Sequence, residues 1–263
     1  MMKKDLDHPA FPEPDLTAEA WRYMPLSQLL SILLTGELPL IRVDLLGDPF
    51  EGSVTAEVLA QDVVMSMGTT RFGRTYGPRA GQAMTPTEVL EEFRRTRVSI
   101  LRSSHASCWR MGKESEGMWR LYCGQKDGIA LRTTCAKLKD SITDDATRLG
   151  QVTYIDYAAG GMPHDNFLYA VMFKRDGFAD EHEVRLLRYL QGDADAVLRD
   201  PELKPGPSVR KMKWDVRSVL EQIVVSPYSD PWYFDTVQLA VQKLSPEVAG
   251  RVVWSRLRAE PKR

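Results

Sequence analysis

With 263 residues, 43% of them hydrophobic and 27% charged, the chain has the composition of a globular protein with ample core material, not of a disordered or fibrous one. A formal net charge of −1 excludes a bulk electrostatic attraction to nucleic acid or membrane. The three scattered cysteines (Cys108, Cys123 and Cys135), with no CxxC pair, argue against a disulfide framework or a cysteine zinc site. The sequence shows no leader-like apolar start and no run long enough for a membrane span, so a cytoplasmic protein with no membrane partner is expected.

In chain order, residues 1–16, with Pro9, Pro12 and Pro14, read as a flexible or extended tail. A short strand at 21–24 precedes a helix that Pro25 opens. That helix carries Leu26, Leu29, Leu30 and Leu33, and Gly36 closes it. A strand at 38–43 leads to the turn LLGDPFEG at 45–52. The pattern then weakens, and a loop near 66–85 contains four glycines with Arg71, Arg74 and Arg79 among them. Glycine supplies freedom and arginine supplies anion contacts, so a mobile lid is the functional expectation and a solvated surface loop the plainer one. Neither a Walker loop nor a GxGxxG fingerprint is present.

Thr85, Pro86 and Glu88 form a capping box that starts a helix bearing Val89, Leu90, Phe93, Ile100 and Leu101. HASCWR at 105–110 reads as a strand, and a short helix beginning at Ser115 carries Met118, Trp119 and Tyr122. Strands are expected at 128–133 and 151–157, and an apolar helix or short strand at 166–174. A strand at 178–190 is followed by a polar loop at 192–207 and strands at 209–216 and 220–225. Asp230 and Pro231 open a last helix with the stripe Tyr233, Val237, Ala240, Val241 and Leu244, before a final strand at 252–257. The expected architecture is therefore α+β: one domain over 17–263, with two small, mainly antiparallel sheets and interspersed short helices.

Chemistry has few places to sit. G-x-S-x-G, HExxH and H-x-E are all absent, and the four histidines are scattered. The segment at 178–190, FADEHEVRLLRYL, read with period 2, places His182, Val184, Leu186 and Leu190 on one face. Glu181, Glu183 and Arg185 share the other face with Leu187 and Tyr189. Such a strand suggests a cleft wall, with same-face ion pairing at a solvated strand end as an equally common reading. Arg22 and Tyr23 on the first strand, and the aromatic pair Trp119 and Tyr122, are the other candidates. A metal site on Asp48, Glu51, Glu181 and Glu183 stays open as an alternative.

These motifs, in their order, carry a resemblance. The turn Gly47-Asp48-Pro49-Phe50-Glu51, the helix Met118-Trp119-Arg120-Leu121-Tyr122, Lys174, and the strand Glu181-His182-Glu183-Val184-Arg185 resemble the bacterial family catalogued as domain of unknown function 2971. Glycine stands where that family's turn has asparagine. The likeness runs over roughly residues 20 to 190. More distantly, the strand-helix-strand opening and the late glutamate are similar to ADP-ribosyltransferase-like domains, including DNA-modifying toxins. That resemblance implies NAD as co-substrate, held by a first-strand arginine, covered by an aromatic side chain and oriented by a glutamate. Carried over, Arg22 would bind the cofactor with Tyr23, Trp119, Tyr122 and Arg185 around it, and Glu183, with Glu181 beside it, would be catalytic. The expected activity is transfer of ADP-ribose to a nucleic acid or protein target, or NAD hydrolysis, because a fixed carboxylate stabilises the cationic ribose formed as nicotinamide leaves. A non-catalytic domain that binds a nucleotide or a protein is the first alternative, and a metal-dependent phosphodiesterase or nuclease the second.

Overall fold

A computed structural model describes residues 8–60, 85–124, 126–163 and 166–258. The first strand, β1 (Glu19–Met24), sends Ala20 and Met24 into one apolar cluster and Trp21 and Tyr23 into another, as alternation requires. Pro25 starts α1 (Leu26–Thr35), which buries Leu29, Ile32 and Leu33 and ends where Gly36 turns left-handed at φ +64, donating its N–H to Ile32 O. After β2 (Glu37–Arg42), the Thr85–Glu88 capping box opens α2 (Pro86–Ser103), which runs directly into β3 (Ser104–Met111). Ser115 caps α3 (Glu116–Cys123) through Met118 N, and Gly124 closes it.

The chain continues through β4 (Ile129–Thr134), α4 (Cys135–Asp140), β5 (Thr147–Gln151), β6 (Thr153–Ile155) and β7 (Phe173–Arg175). Then come β8 (Glu183–Tyr189), α5 (Gln191–Arg199), β9 (Val209–Lys213) and the single turn α6 (Val216–Val219). The last elements are β10 (Gln222–Val225), α7 (Pro231–Leu244) and β11 (Val252–Trp254).

The α+β class holds, but the expected pair of small sheets does not. Among the described residues nine strands join in one mixed sheet, in the order β11-β10-β4-β1-β3-β2-β9, with β8 and β5 continuing from the far edge of β3. Only β10 and β11 pair parallel in it, and β6 and β7 form a separate parallel pair. The reason for one sheet is β3, which serves three neighbours. One edge pairs with β8 along its length, from Ser104↔Tyr189 to Arg110↔Glu183. The other edge takes β1 at Trp21↔Arg110 and β2 at Ile41↔Ala106. Between those contacts Ser107, Cys108 and Trp109 have no strand partner on that edge, so the sheet forks there.

Apolar clusters cover both sides of the sheet. One gathers Met24, Leu38, Leu40 and Leu131 against α1 and α7. The side opposite carries two separate clusters, one around Trp21, Tyr23 and Trp119 and one around Ala106, Leu187 and Ile100. The opening at the fork lies between them.

Several sequence expectations are corrected. Within the segment read as a loose tail, residues 8–16 are packed: Ala10 and Phe11 are buried in the core and Gln151 N–H donates to Pro12 O at 2.8 Å. Two apolar side chains with a dry place to go outweigh the extended preference of the prolines. The strand expected at 178–190 begins only at Glu183, because Asp176–Glu181 is a 3-10 turn ended by His182 in the left-handed region at φ 42. The polar loop expected at 192–207 opens with α5 instead. The strand expected at 209–216 stops at Lys213, since Asp215 accepts from Arg217 N and caps α6. The loop near 66–85 lies, up to residue 84, outside the described residues. No helix among the described residues is long and apolar enough to cross a membrane.

Candidate functional site

The fork opens into a cleft of about 630 Å3, within the size range of small-ligand sites. β1 supplies Arg22, β3 supplies Cys108, and α3 supplies Tyr122 at the rim. Lys174 comes from β7, Glu181 from the 3-10 turn, and Glu183 and Arg185 from the start of β8. Arg110 sits opposite both Trp21 and Glu183, so β1 and Glu183 are two inter-strand spacings apart, about 10 Å.

One wall holds a cation with little to neutralise it. Arg22 donates through Nη1 to Ser107 Oγ, and no carboxylate pairs with it among the described residues. Burial pulls its pKa below the usual arginine range.

The other wall is a chain of alternating charges. Arg185, fully buried, donates from Nε to Glu183 Oε1 at 2.6 Å and from Nη2 to Glu183 Oε2 at 3.2 Å. Its outer nitrogens also grip both oxygens of Glu51, and Nη1 reaches Val171 O at 2.7 Å. Lys174 Nζ joins Glu181 Oε2 at 2.5 Å and Glu183 Oε2 at 3.4 Å. Burial alone would raise the pKa of Glu183, but Arg185 and Lys174 outweigh it and hold the carboxyl at about 2. The Cys108 thiol lies beside Glu183, and burial first, then that negative charge, pushes it well above its usual range. Asp48 is tied separately to Arg175 at 2.7 Å, and the Arg175 guanidinium lies 4.5 Å from the Phe50 ring centre.

The structure therefore brings six of the seven expected site residues to one cleft: Arg22, Tyr23, Tyr122, Glu181, Glu183 and Arg185. Tyr23 contributes only its edge, because its hydroxyl accepts from Ser115 N at 2.9 Å and its ring packs against Trp119. Burial pushes that hydroxyl up to about 12. Trp119 is the exception. It is completely buried behind Tyr23, with Nε1 donating to Glu114 at 2.8 Å, so it offers no face to a ligand in the cleft. The half-exposed Tyr122 does.

The sequence reading placed Ser107 and Cys108 on a strand and not in the site, and it missed the use of Glu51. The GDPFE turn flagged Glu51, but as a metal ligand. Here Glu51, Asp48, Glu181 and Glu183 each have a cationic partner, and no group of three or more side chains that could hold a metal ion occurs among the described residues.

The class defined is thus an α+β protein with a forked mixed sheet and a charge-lined cleft at the fork. The family whose model matches is described as "Protein of unknown function (DUF2971)", and the match covers residues 118–186, from the α3 helix to the buried core of β8. That segment is the family resemblance read from the Met-Trp helix, Lys174 and the Glu-x-Glu-x-Arg run, now supported independently. No curated protein matches the chain, and no solved structure does.

Proposed function

We propose that the chain is an NAD-using enzyme of the ADP-ribosyltransferase type, which breaks the bond between nicotinamide and ribose and passes ADP-ribose to a macromolecule or to water. The observation that carries this reading is the meeting of Arg22, from the first strand, with Glu181 and Glu183 in one cleft at the fork of the sheet. A guanidinium without a carboxylate partner suits the diphosphate of a dinucleotide. The Tyr122 ring at the rim suits stacking on a planar base.

In the reaction the electron pair of the glycosidic bond leaves with nicotinamide, which becomes neutral, and positive charge grows on the ribose. Glu183 is a carboxylate held rigidly by Arg185, so its field is set in advance and needs no reorganisation as that charge develops. Glu181 bonds Lys174 through one oxygen, and its other oxygen has no partner among the described residues, leaving it to meet a ribose hydroxyl or the incoming acceptor. The acceptor, water or a nucleophile on nucleic acid or protein, adds to the ribose carbon and gives up its proton to solvent. A bacterial, cytoplasmic setting belongs to the same proposal.

The test is incubation of the purified protein with NAD, reading nicotinamide release alongside the melting temperature. A rise in melting temperature that scales with NAD concentration, together with nicotinamide release, is expected. Neither effect at millimolar NAD would overturn the proposal. The engagement of both Glu183 oxygens by Arg185 favours a second reading, a nucleotide-binding domain without turnover. That reading predicts the thermal shift without nicotinamide release.

A further inference from the structure

Glu181 and Glu183 stand side by side because the chain kinks between them at His182. Two carboxylates sharing a poorly hydrated wall repel, and in such pairs one carboxyl ordinarily keeps its proton. Arg185 does not relieve this pair alone, since it is divided between Glu183 and Glu51. The remaining cation is Lys174. It is 9% exposed, touches both carboxylates, and lies 4.6 Å from the Phe178 ring centre. Its element, β7, belongs not to the large sheet but to the small parallel pair, in which Lys174 stands opposite Tyr154.

We propose that Lys174 is the positioning residue of the cleft: its ammonium clasps Glu181 and Glu183 so that both face the ligand as carboxylates. This deepens the reading of the cleft as the working site, and its first test does not depend on NAD. The surrounding groups supply no substitute. Arg175, next along β7, is taken by Asp48, and Arg185 of β8 is shared with Glu51 of the turn. Arg22 of β1 bonds Ser107 and Arg110 of β3 the Lys113 carbonyl, so neither cation reaches the pair. Cys108 of β3, Tyr122 of α3 and Tyr154 of β6 stand beside the pair as neutral groups, each pushed above its ordinary range by burial first, with these carboxylates adding to the rise. Without Lys174, Glu181 would have no cationic partner among the described residues, and Glu183 would be left to share one guanidinium with Glu51.

The experiment titrates glutamate side chains labelled with carbon-13 by NMR in the wild type, Lys174→Met and Lys174→Arg. In Lys174→Met one carboxyl should titrate about two pH units or more higher than in the wild type, and Lys174→Arg should restore the low value. Carboxyls unmoved in Lys174→Met would overturn the inference. If Lys174→Met does not fold, the double variant Lys174→Met with Glu181→Gln decides the matter. Folding of the double variant supports a charge clasp, and its failure assigns Lys174 to packing and overturns the proposal. In the activity arm, the acid limb of nicotinamide release should move up with the raised carboxyl, while KM for NAD stays within about threefold. A moved carboxyl with an unmoved pH profile in an active enzyme would overturn the positioning role. A carboxyl moved in Lys174→Met, alongside a wild type that releases no nicotinamide, would sink the NAD reading and leave the clasp standing.

Discussion

Arg22 and Glu183 line the same cleft and differ in how their charge is compensated. Glu183 has Arg185 and Lys174, whereas Arg22 has a serine hydroxyl. Removing Arg22 therefore breaks no ion pair among the described residues. Arg22→Gln should leave the melting temperature near the wild-type value and raise KM for NAD by about 10- to 100-fold, the worth of one charge-assisted hydrogen bond to phosphate, with kcat little changed. A large loss of stability with KM untouched would show Arg22 to be structural. Glu183→Gln should act on both quantities. It should lower turnover on the order of 100-fold or more, because the fixed negative charge is gone. It should also cost stability, because Arg185 is left with Glu51 alone in a buried place. Turnover and melting temperature measured on the same Glu183→Gln preparation check this, and a stability loss with full turnover would end the catalytic role of that carboxylate.

Among the elements, the segment 10–14 and β5 hold each other in place. Gly150 on β5 lies so close to Phe11 that an added Cβ would come within 2.9 Å of Phe11 Cα and of the Met172 side chain. Gly150→Ala should therefore destabilise by about 1–3 kcal/mol, as other small-to-large changes in packed cores do, and denaturant unfolding would measure it. An unchanged midpoint would mean that the 10–14 segment yields at little cost. This contact illustrates what local sequence signals could and could not show. Helix starts and stops were legible, because Thr85 with Glu88, Ser115 and Gly36 act through their own few neighbours. The docking of Phe11 was not, since Gly150 and Met172, which it packs against, are more than a hundred residues away. The kink at His182 was hidden for a related reason. FADEHEVRLL alternates as a strand should, and the left-handed residue that breaks it is a histidine, not a glycine. In the site, Glu183 and Arg185 were legible from their shared face, while Trp119 was misplaced because an aromatic on a short helix reads alike whether it covers a ligand or fills a core.

For the molecule as a whole, two buried groups of different kinds set how folding responds to acid. His105 on β3 is fully buried, with Nε2 against Pro207 O at 3.0 Å. Its pKa is lowered, by burial first and then by Arg210 and Arg42, against the opposing pull of the Pro207 carbonyl and Asp193. The unfolded chain therefore takes up a proton at this site, near pH 6.5, before the folded one does, and stability present at neutral pH declines below that value until the folded pKa is passed. Glu183 adds a second window. Its carboxyl titrates near 4.5 when unfolded and at about 2 when folded, so its contribution is complete above 4.5 and disappears as the pH falls toward 2. A difference of that size is worth on the order of 3 kcal/mol. Denaturant midpoints measured from about pH 7.5 down to about pH 3 should fall in two stages. His105→Gln should flatten the upper stage and keep the lower, and Glu183→Gln should do the reverse. A single stage unaffected by either substitution would place the acid sensitivity of the fold elsewhere, in the surface carboxylates that pair with Arg132 and Arg188.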